Sequence, residues 1–349
     1  MGSTDDFLND IRAQLAPDDA VLKEARERRD TVRNAAMSFR GAQRSFASGS
    51  LAHGTANCPI HLRDKGLDAD GGVVLNRTYY PNLGPDSNAG EGPNDIVTAV
   101  RDHVGPVVRK TYPKAKLSIT KRAIFITIGE PLPGGEDPTV DLVVGLQRRE
   151  AEGLWIPNTE QHRWDASHPE KHTDLLTADP KQLRVTRARA IRLAKAENKR
   201  AGVPPVCSFN LEAFGLMFVQ PGIGQAQALL AMWEEGASDL ARRLTPDPAE
   251  VSGPIKVADR DRAVRRLRNA AGRLANALDR DDDPEWVREQ LKDLWPDFVA
   301  STRYSVSKAR AVERARRGNG LKVSSSGLLS ATSGLALKSP RSFGESQDR

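Results

Sequence analysis

The sequence contains only two cysteines, Cys58 and Cys207, among 349 residues. Two thiols cannot build the disulfide framework of a small secreted domain. Apolar runs are short, as at 73–75 and 142–144, and none approaches the roughly 20 residues that cross a bilayer. The N-terminus is acidic and lacks the basic start and apolar stretch of a secretory signal. These absences predict a cytoplasmic protein with no membrane partner.

Basic residues outnumber acidic ones, which gives a formal net charge of +6 and a pI of about 9.4. Such a balance favours an anionic partner but does not separate nucleotides from nucleic acids or acidic lipids. Four basic residues, Arg189, Arg192, Lys195 and Lys199, are spaced by three, three and four positions, which places them in one stripe on a helix. A stripe of this kind either faces solvent or faces an anion in a neighbouring cleft.

The periodicity of the chain predicts an α+β protein. The first part alternates a helix at 18–39 with strands near 43–50, 66–76, 114–128 and 139–146 and with a helix from the N-cap Asn94 to about 111. The second part is helical, with helices expected at 182–200, 209–219, 224–243, 258–279 and 284–300. We therefore predict an α/β lobe over 1–165 that carries an N-terminal spine helix, a helical lobe over 166–317, and a disordered tail over 318–349.

Two carboxylates lie close together in one predicted strand. Asp68 and Asp70 are two residues apart, so their side chains point to the same face of the strand at a separation of roughly 7 Å. Gly71 and Gly72 follow them and leave room for a ligand to approach the backbone. A third acid, Asp141, lies in a later apolar strand, where an isolated charge needs a partner or a metal.

Three carboxylates on adjacent strands are suited to two Mg²⁺ ions, which prefer oxygen ligands shared with phosphates. Two such ions, about 3.5–4 Å apart, activate an attacking hydroxyl and stabilise a leaving pyrophosphate. The alternative interpretation is that Asp68 and Asp70 form an ordinary solvated strand end.

A Gly-Ser pair at Gly49 and Ser50 precedes the acidic strand, between a predicted strand and a helix. A turn at this position presents backbone N–H groups and a hydroxyl to a phosphate. The pair means little alone, and its placement before the two carboxylates is what makes it informative.

In this order the motifs resemble those of the polymerase-β nucleotidyltransferase superfamily. More narrowly, the sequence resembles the bacterial CD-NTases, which are cyclic-oligonucleotide synthases related to cyclic GMP-AMP synthase and oligoadenylate synthase. The matching stretches beyond the third acid are Gly-Leu-Trp-Ile-Pro-Asn at 153–158, Trp-Asp-Ala-Ser-His-Pro at 164–169, Ala-Ile-Arg-Leu-Ala-Lys at 190–195 and Cys-Ser-Phe-Asn-Leu-Glu at 207–212. The resemblance covers roughly residues 20–300.

The resemblance implies a nucleotidyltransferase lobe with a mixed sheet packed against a helical C-terminal lobe. It also implies that Asp68, Asp70 and Asp141 are catalytic and hold two Mg²⁺ ions, for which Mn²⁺ can substitute.

A nucleotide site is implied in the same way. Gly49, Ser50, Lys195 and Ser208 would contact the triphosphate, and Phe209 would stack on a base. From the residues alone, a phenylalanine such as Phe209 is more often part of the core than a stacking platform.

The implied function is template-independent synthesis of a cyclic di- or trinucleotide from nucleoside triphosphates. The product would act as a second messenger in antiphage defence, read by a product-sensing effector protein, and the enzyme is expected to be a monomer. Two alternatives remain open: an enzyme that transfers a nucleotide to a protein, an RNA end or a small molecule, and a non-catalytic sensor of nucleotides or nucleic acid.

Overall fold

The computed structural model describes residues 2–58, 67–200 and 202–299, together with the backbone of three two-residue strands near the C-terminus. Within these ranges no helix is long and apolar enough to cross a membrane. The predicted disordered tail at 318–349 lies outside the described residues, apart from those three short strands.

The described helices and strands alternate in the first half of the chain, and helices dominate the second half. The strands of the main sheet are β1 (Ala42–Ser48), β2 (Asp68–Leu75), β3 (Lys116–Ile119), β4 (Ile124–Thr127), β5 (Thr139–Gln147), β6 (Leu154–Asn158) and β7 (Arg163–Ser167). The helices are α1 (Ser3–Leu15), α2 (Asp19–Met37), α3 (Gly49–His53), α4 (Asn94–Arg109), α5 (Pro169–Thr177), α6 (Lys181–Lys199), α7 (Ser208–Phe218), α8 (Gln225–Arg242), α9 (Arg260–Leu278) and α10 (Pro284–Leu291). The three C-terminal strands, β8 (Lys322–Val323), β9 (Leu329–Ser330) and β10 (Leu335–Ala336), pair with one another in antiparallel fashion.

The main sheet is mixed. Its strand order is β1-β2-β5-β4-β3, and β2 and β5 form its parallel pair, while β6 and β7 extend from the second half of β5 as an antiparallel hairpin. Side chains alternate between the two faces of each strand. Ala69 and Val73 of β2 and Val140 of β5 point to the face on which α2 and α4 pack, and they form the core of this half. The opposite face of the sheet carries Asp68, Asp70 and Asp141.

The helical half has a separate core. It contains the large buried side chains of Phe214 (α7), Trp233 (α8) and Trp295, which follows α10. Leu8, Ile11 and Leu15 of α1 lie in the same core, so α1 packs with the helices of the second half of the chain. These three residues follow helical spacing, although α1 lies outside the predicted elements. The predicted lobe boundaries at 165 and 317 stay predictions.

Two predicted helix ends differ from the observed ones. Asn94 is not an N-cap but the first residue of α4, and its side-chain amide donates to the Thr159 carbonyl instead. Helix α10 begins with Asp283 and Pro284 as predicted, because the Asp283 carboxylate accepts the N–H groups of Glu285 and Trp286. It ends at Leu291 rather than at 300, since the chain turns there and Trp295 enters the core.

Candidate active site

The three predicted carboxylates lie on one face of the main sheet. In the parallel β2–β5 pair, Asp70 is in register with Asp141, and Asp68 is in register with Thr139. Residues in register on neighbouring parallel strands point to the same side, and so do residues two apart on one strand. Asp141 is therefore on the same side of the sheet as Asp68 and Asp70. Asp68 is exposed, and the other two are partly buried.

The electrostatics of this face show that the carboxylates interact. The pKa of Asp70 is raised to about 7, mainly by burial and also by the charges of Asp141, Asp68 and Glu212, against the opposing effect of Lys195. Burial also raises the pKa of Asp141 to about 6, with a contribution from the charge of Asp68. A proton or a cation at this face would relieve the repulsion.

The chemistry of this donor set fits divalent magnesium, which takes carboxylate oxygens. In the described ranges, no group of three or more Asp, Glu, His or Cys side chains is arranged to hold a metal ion as it stands. Asp68 accepts a short hydrogen bond from the Thr139 hydroxyl at Oδ1, and its second carboxylate oxygen can still bind a metal ion. Asp68, Asp70 and Asp141 are the residues that could hold the metal ions.

The Gly-Ser turn lies directly against Asp70. Helix α3 begins at Gly49, immediately after β1, and Gly49 has a φ of +72°, which favours glycine. A Cβ atom at this position would lie 1.7 Å from Oδ2 of Asp70. The absence of a side chain at Gly49 therefore allows the turn to approach the carboxylate, and it places Ser50 beside it.

A cleft of about 420 Å³ lies over this part of the sheet, between it and the helical half. Its lining consists of Ser48, Gly49, Ser50, His53, Thr55, Asn57, Leu67, Asp68, Asp70, Val143, Pro169, His172, Lys195, Lys199, Ser208, Phe209 and Glu212. Seven of the eight predicted site residues are among them. Asp141 is not, although Val143, two residues further on the same face of β5, is. The fold thus gathers residues from β2, α3, α6 and α7 around one space.

Lys195 does not point into solvent, as a solvated basic stripe would require. Its side chain is buried in the wall of the cleft, where Nζ lies 2.7 Å from Oε1 of Glu212 and 3.0 Å from the Thr55 hydroxyl. The Thr55 hydroxyl also donates to Oε1 of Glu212 over 2.6 Å. Burial would raise the pKa of Glu212, but Lys195 and His53 outweigh it and hold that pKa well below the usual range.

Glu212 joins four elements through this network. Its Oε2 accepts from Nδ1 of His53 over 3.1 Å, and Nε2 of His53 lies 3.1 Å from the Thr173 hydroxyl of α5. Helix α3, which begins at Gly49 and contains His53, is thereby linked to α5, α6 and α7. Glu212 lies within a motif stretch, but no sequence signal identifies it as the partner of Lys195, since the two residues are on different helices.

Removing one partner of this buried pair should be strongly destabilising. Lys195→Met leaves the Glu212 carboxylate buried without its cation, and we expect a loss of about 3–5 kcal/mol in the free energy of unfolding. The double variant Lys195→Met/Glu212→Gln should recover part of that loss. Urea unfolding measures both.

Lys23→Met is the matched control, because Lys23 forms an exposed pair with Glu27 at 3.8 Å. This variant should lose less than about 1 kcal/mol. A similar loss for Lys23→Met and Lys195→Met would contradict the assignment of a buried ion pair.

Phe209 lies partly buried at the rim of the cleft. Its ring centroid is 4.6 Å from that of His172, with the two planes inclined by 53°. Nε2 of His172 lies 2.7 Å from Oδ1 of Asp247, a carboxylate whose side chain is fully buried. Burial would raise the pKa of Asp247, but His172 and nearby backbone N–H groups hold it well below the usual range. Phe209 thus borders the cleft, and exposed Ser208 precedes it at the start of α7.

Asp70→Asn should stabilise the fold at high pH in metal-free buffer. The Asp70 pKa is about 7 in the folded protein, against an ordinary value near 3.8. The folded state therefore holds more protons than the unfolded state between these values, and stability falls as the pH rises through this window. At about 1.4 kcal/mol per pKa unit, the variant should gain roughly 2–4 kcal/mol at pH 8 and almost nothing below pH 4.

Urea unfolding of the two proteins at pH 4, 6 and 8, with a chelator present, measures this difference. Addition of millimolar Mg²⁺ at pH 8 should then stabilise the parent protein more than the variant. A stability difference that does not change with pH would contradict the raised pKa.

Comparison with known proteins gives structural matches and no sequence match. No protein-family model and no curated protein sequence matches the chain. The Bradyrhizobium diazoefficiens CD-NTase CdnG in complex with GTP is similar, with 16% identity and a TM-score of 0.62 over 84% of this chain and 97% of that one. CdnC of E. coli MS115-1 with ATP shows 18% identity and a TM-score of 0.53 over 79% and 91% of the two chains. The Vibrio cholerae cyclic AMP-GMP synthase DncV, a prokaryotic cGAS homolog, shows 11% identity and a TM-score of 0.55 over 81% and 92%.

These similarities extend over most of the chain and include both the mixed sheet and the helical half. At such identities they establish the fold. The fold class predicted from the order of the sequence motifs is confirmed: the chain has the polymerase-β-like fold of the bacterial CD-NTases.

Proposed function

We propose that this protein is a nucleotidyltransferase that joins nucleoside triphosphates into a cyclic di- or trinucleotide. The observation that carries the proposal is the carboxylate face, where Asp70 and Asp141 are in register, Asp68 is on the same side, and the Gly-Ser turn lies against Asp70. A cleft bordered by hydroxyl, lysine and aromatic side chains covers that face.

We assign the residues of the carboxylate face the following roles. Asp68, Asp70 and Asp141 would hold two Mg²⁺ ions, which supply charge neutralisation at the transferred phosphoryl group and activation of the attacking hydroxyl. Asp141 would also take the proton of the attacking ribose hydroxyl.

The triphosphate would lie between α3 and the helical half. Ser50 and Ser208 border the cleft and can donate hydroxyl protons to phosphate oxygens. Lys195 has three N–H donors, which contact Glu212, the Thr55 hydroxyl and, at 3.5 Å, the Thr55 carbonyl; a phosphate oxygen would replace this longest contact. Catalysis then depends on positioning and electrostatic stabilisation.

The base of the bound nucleotide would stack on Phe209. The ring borders the cleft, and His172, held by Asp247, contacts it from the side. An aromatic platform contributes about 1–3 kcal/mol per stacked base and accepts any base. This arrangement supports nucleotide binding and does not by itself select a purine or a pyrimidine.

Solved structures with the same fold support the choice of product. They include a CD-NTase with bound GTP and a cyclic AMP-GMP synthase. We extend the proposal to a monomeric enzyme whose product is a second messenger, read by an effector protein in antiphage defence.

The test is incubation of the purified protein with all four nucleoside triphosphates, first with Mg²⁺ and then with Mn²⁺. We expect a product that resists phosphatase and has the mass of a cyclic di- or trinucleotide, and we expect no product from Asp68→Asn. A linear product, or a nucleotide attached to a protein, an RNA end or a small molecule, would support the alternative transferases and contradict cyclisation. Nucleotide binding without turnover under both metals would favour a non-catalytic sensor.

A further inference from the structure

Three arginines meet where α1 packs against α6. Arg189 and Arg192 are one turn apart on α6 and share a face, and Arg12 of α1 lies against them. All three side chains are partly buried. Among the described residues, none of the three forms an ion pair with an Asp or a Glu, and only two hydrogen bonds to asparagines engage them. We call these three residues the arginine triad.

The arginine triad is a concentration of like charge with buried donors. Nε of Arg12 and Nη2 of Arg192 are buried and have no hydrogen-bond partner. Burial lowers the pKa of Arg12, and the charge of Arg189 lowers it further. Burial also lowers the pKa of Arg192, with the charge of Arg12 adding to the effect. Buried donors without acceptors are unfavourable, so an acceptor is expected here.

Two other buried arginines in this chain, Arg28 and Arg187, form ion pairs with acids. Arg28 is fully buried, and its guanidinium is neutralised by Glu24 and Asp137 and donates to two backbone carbonyls as well. Arg187 is likewise buried and pairs with Asp179 at 2.6 Å. The fold therefore supplies acids to buried arginines elsewhere, and the arginine triad departs from this pattern.

A cavity of about 600 Å³ opens between α1, α6 and the start of α8, and of the arginine triad only Arg189 lines it. Its polar lining includes Asp5, Asn9, Lys181, Thr186, Arg189 and Gln225. Asn9 also connects the cavity to Arg12, whose Nη2 donates to the Asn9 side chain over 3.0 Å. One acid, Asp5, faces two cations in this lining, so the balance of charge remains positive.

We propose that the arginine triad and this cavity form a second binding site, which takes the phosphate group of a small anionic ligand. Guanidinium groups bind phosphate oxygens through paired N–H donors, and several of them together match a dianion. A phosphate in the cavity accepts from Arg189, and its charge reduces the repulsion between the three cations.

The site is connected to the catalytic cleft by one residue. Nε of Arg192 donates to Oδ1 of Asn57 over 3.1 Å, and Nδ2 of Asn57 donates back to the Arg192 carbonyl over 2.9 Å. Asn57 lines the cleft, and Lys195 follows Arg192 by one turn on α6. An anion on the arginine triad thereby influences the wall that faces the nucleotide, which makes the site regulatory.

Calorimetric titration of the full chain with inorganic phosphate and with pyrophosphate, in metal-free buffer, tests the site. The double variant Arg12→Gln/Arg189→Gln should bind these anions at least roughly tenfold more weakly than the parent protein. Arg262→Gln/Arg265→Gln removes the same charge from the exposed face of α9, and this control should bind as the parent does. Equal weakening in the α9 control, or unchanged binding in the Arg12/Arg189 double variant, would overturn the proposal.

Thermal unfolding supplies a readout that a merely structural role would not produce. In phosphate-free buffer, the Arg12/Arg189 double variant should melt at the same temperature as the parent protein or higher, because repulsion has been removed. Phosphate should raise the melting temperature of the parent protein and not that of the variant. A variant that melts several degrees lower without phosphate would show that the arginines are already satisfied. Binding of a DNA duplex without binding of phosphate or pyrophosphate would also overturn a small-anion site.

Discussion

Asp141→Asn should lower nucleotide turnover by about 10³-fold or more, because in the proposed function the substitution removes one of the three carboxylates that would hold the metal ions. Asp141 is in register with Asp70, and β5 contains no other acid that could replace it. Initial rates of pyrophosphate release at saturating triphosphate measure the effect. The loss should appear in kcat, because in the proposed function this carboxylate acts on the attacking group rather than on substrate binding alone.

Asp102→Asn is the matched control for this substitution. Asp102 is an exposed residue of α4 that pairs with its neighbour Arg101, away from the cleft. The control should keep full activity. Asp141→Asn itself should be at least as stable as the parent protein at pH 8, because it removes a carboxylate whose pKa is raised by burial and by Asp68. Turnover within about tenfold of the parent would contradict a catalytic role for Asp141.

The carboxylate face could be predicted from the sequence because its geometry is local. A strand fixes Asp68 and Asp70 on one face whatever surrounds it, and the apolar run around Asp141 predicts a second, buried strand. Side-by-side placement of the two strands does not follow from either segment. It depends on the parallel pairing of β2 with β5, which are separated by α4 and by the β3–β4 hairpin.

The wall of the cleft could be predicted only in part. The helical spacing of Arg189, Arg192 and Lys195 correctly indicates a shared stripe, but burial of that stripe is a tertiary effect of α1 and α7 packing against α6. The partner of Lys195 illustrates the limit. Its ammonium group contacts Thr55, which lies far before it in the sequence, and Glu212, which lies on the next helix. No sequence period or motif connects these three positions.

Tertiary packing also explains why an observed helix end differs from the predicted one. Helix α10 stops at Leu291 because Trp295 packs into the helical core and donates its indole N–H to the Leu193 carbonyl, a contact between segments about one hundred residues apart. Local propensity favours continuing the helix to 300. The helical core overrides it because burying a Trp side chain contributes more than a few additional residues of helix.

Gly49→Ala should reduce turnover by about 10²-fold, a loss typical of moving a catalytic group by roughly 1 Å. A methyl group at this position would overlap the Asp70 carboxylate, since its Cβ would lie 1.7 Å from Oδ2 and 2.4 Å from Cγ. Either the Gly-Ser turn or the carboxylate must move away. The left-handed φ of +72° adds a backbone penalty of about 1–2 kcal/mol.

Gly54→Ala separates the overlap with the Asp70 carboxylate from the strain of a left-handed backbone. Gly54 ends α3 with a φ of +71°, nearly the same as that of Gly49, but a Cβ atom there meets nothing within 4 Å. This control should lose the same 1–2 kcal/mol or so of stability in urea unfolding and keep its turnover within about twofold. Gly49→Ala should lose more stability and nearly all of its activity. Equal turnover in the two alanine variants would mean that contact between the Gly-Ser turn and Asp70 is not required, because backbone strain alone would then account for everything the glycine contributes.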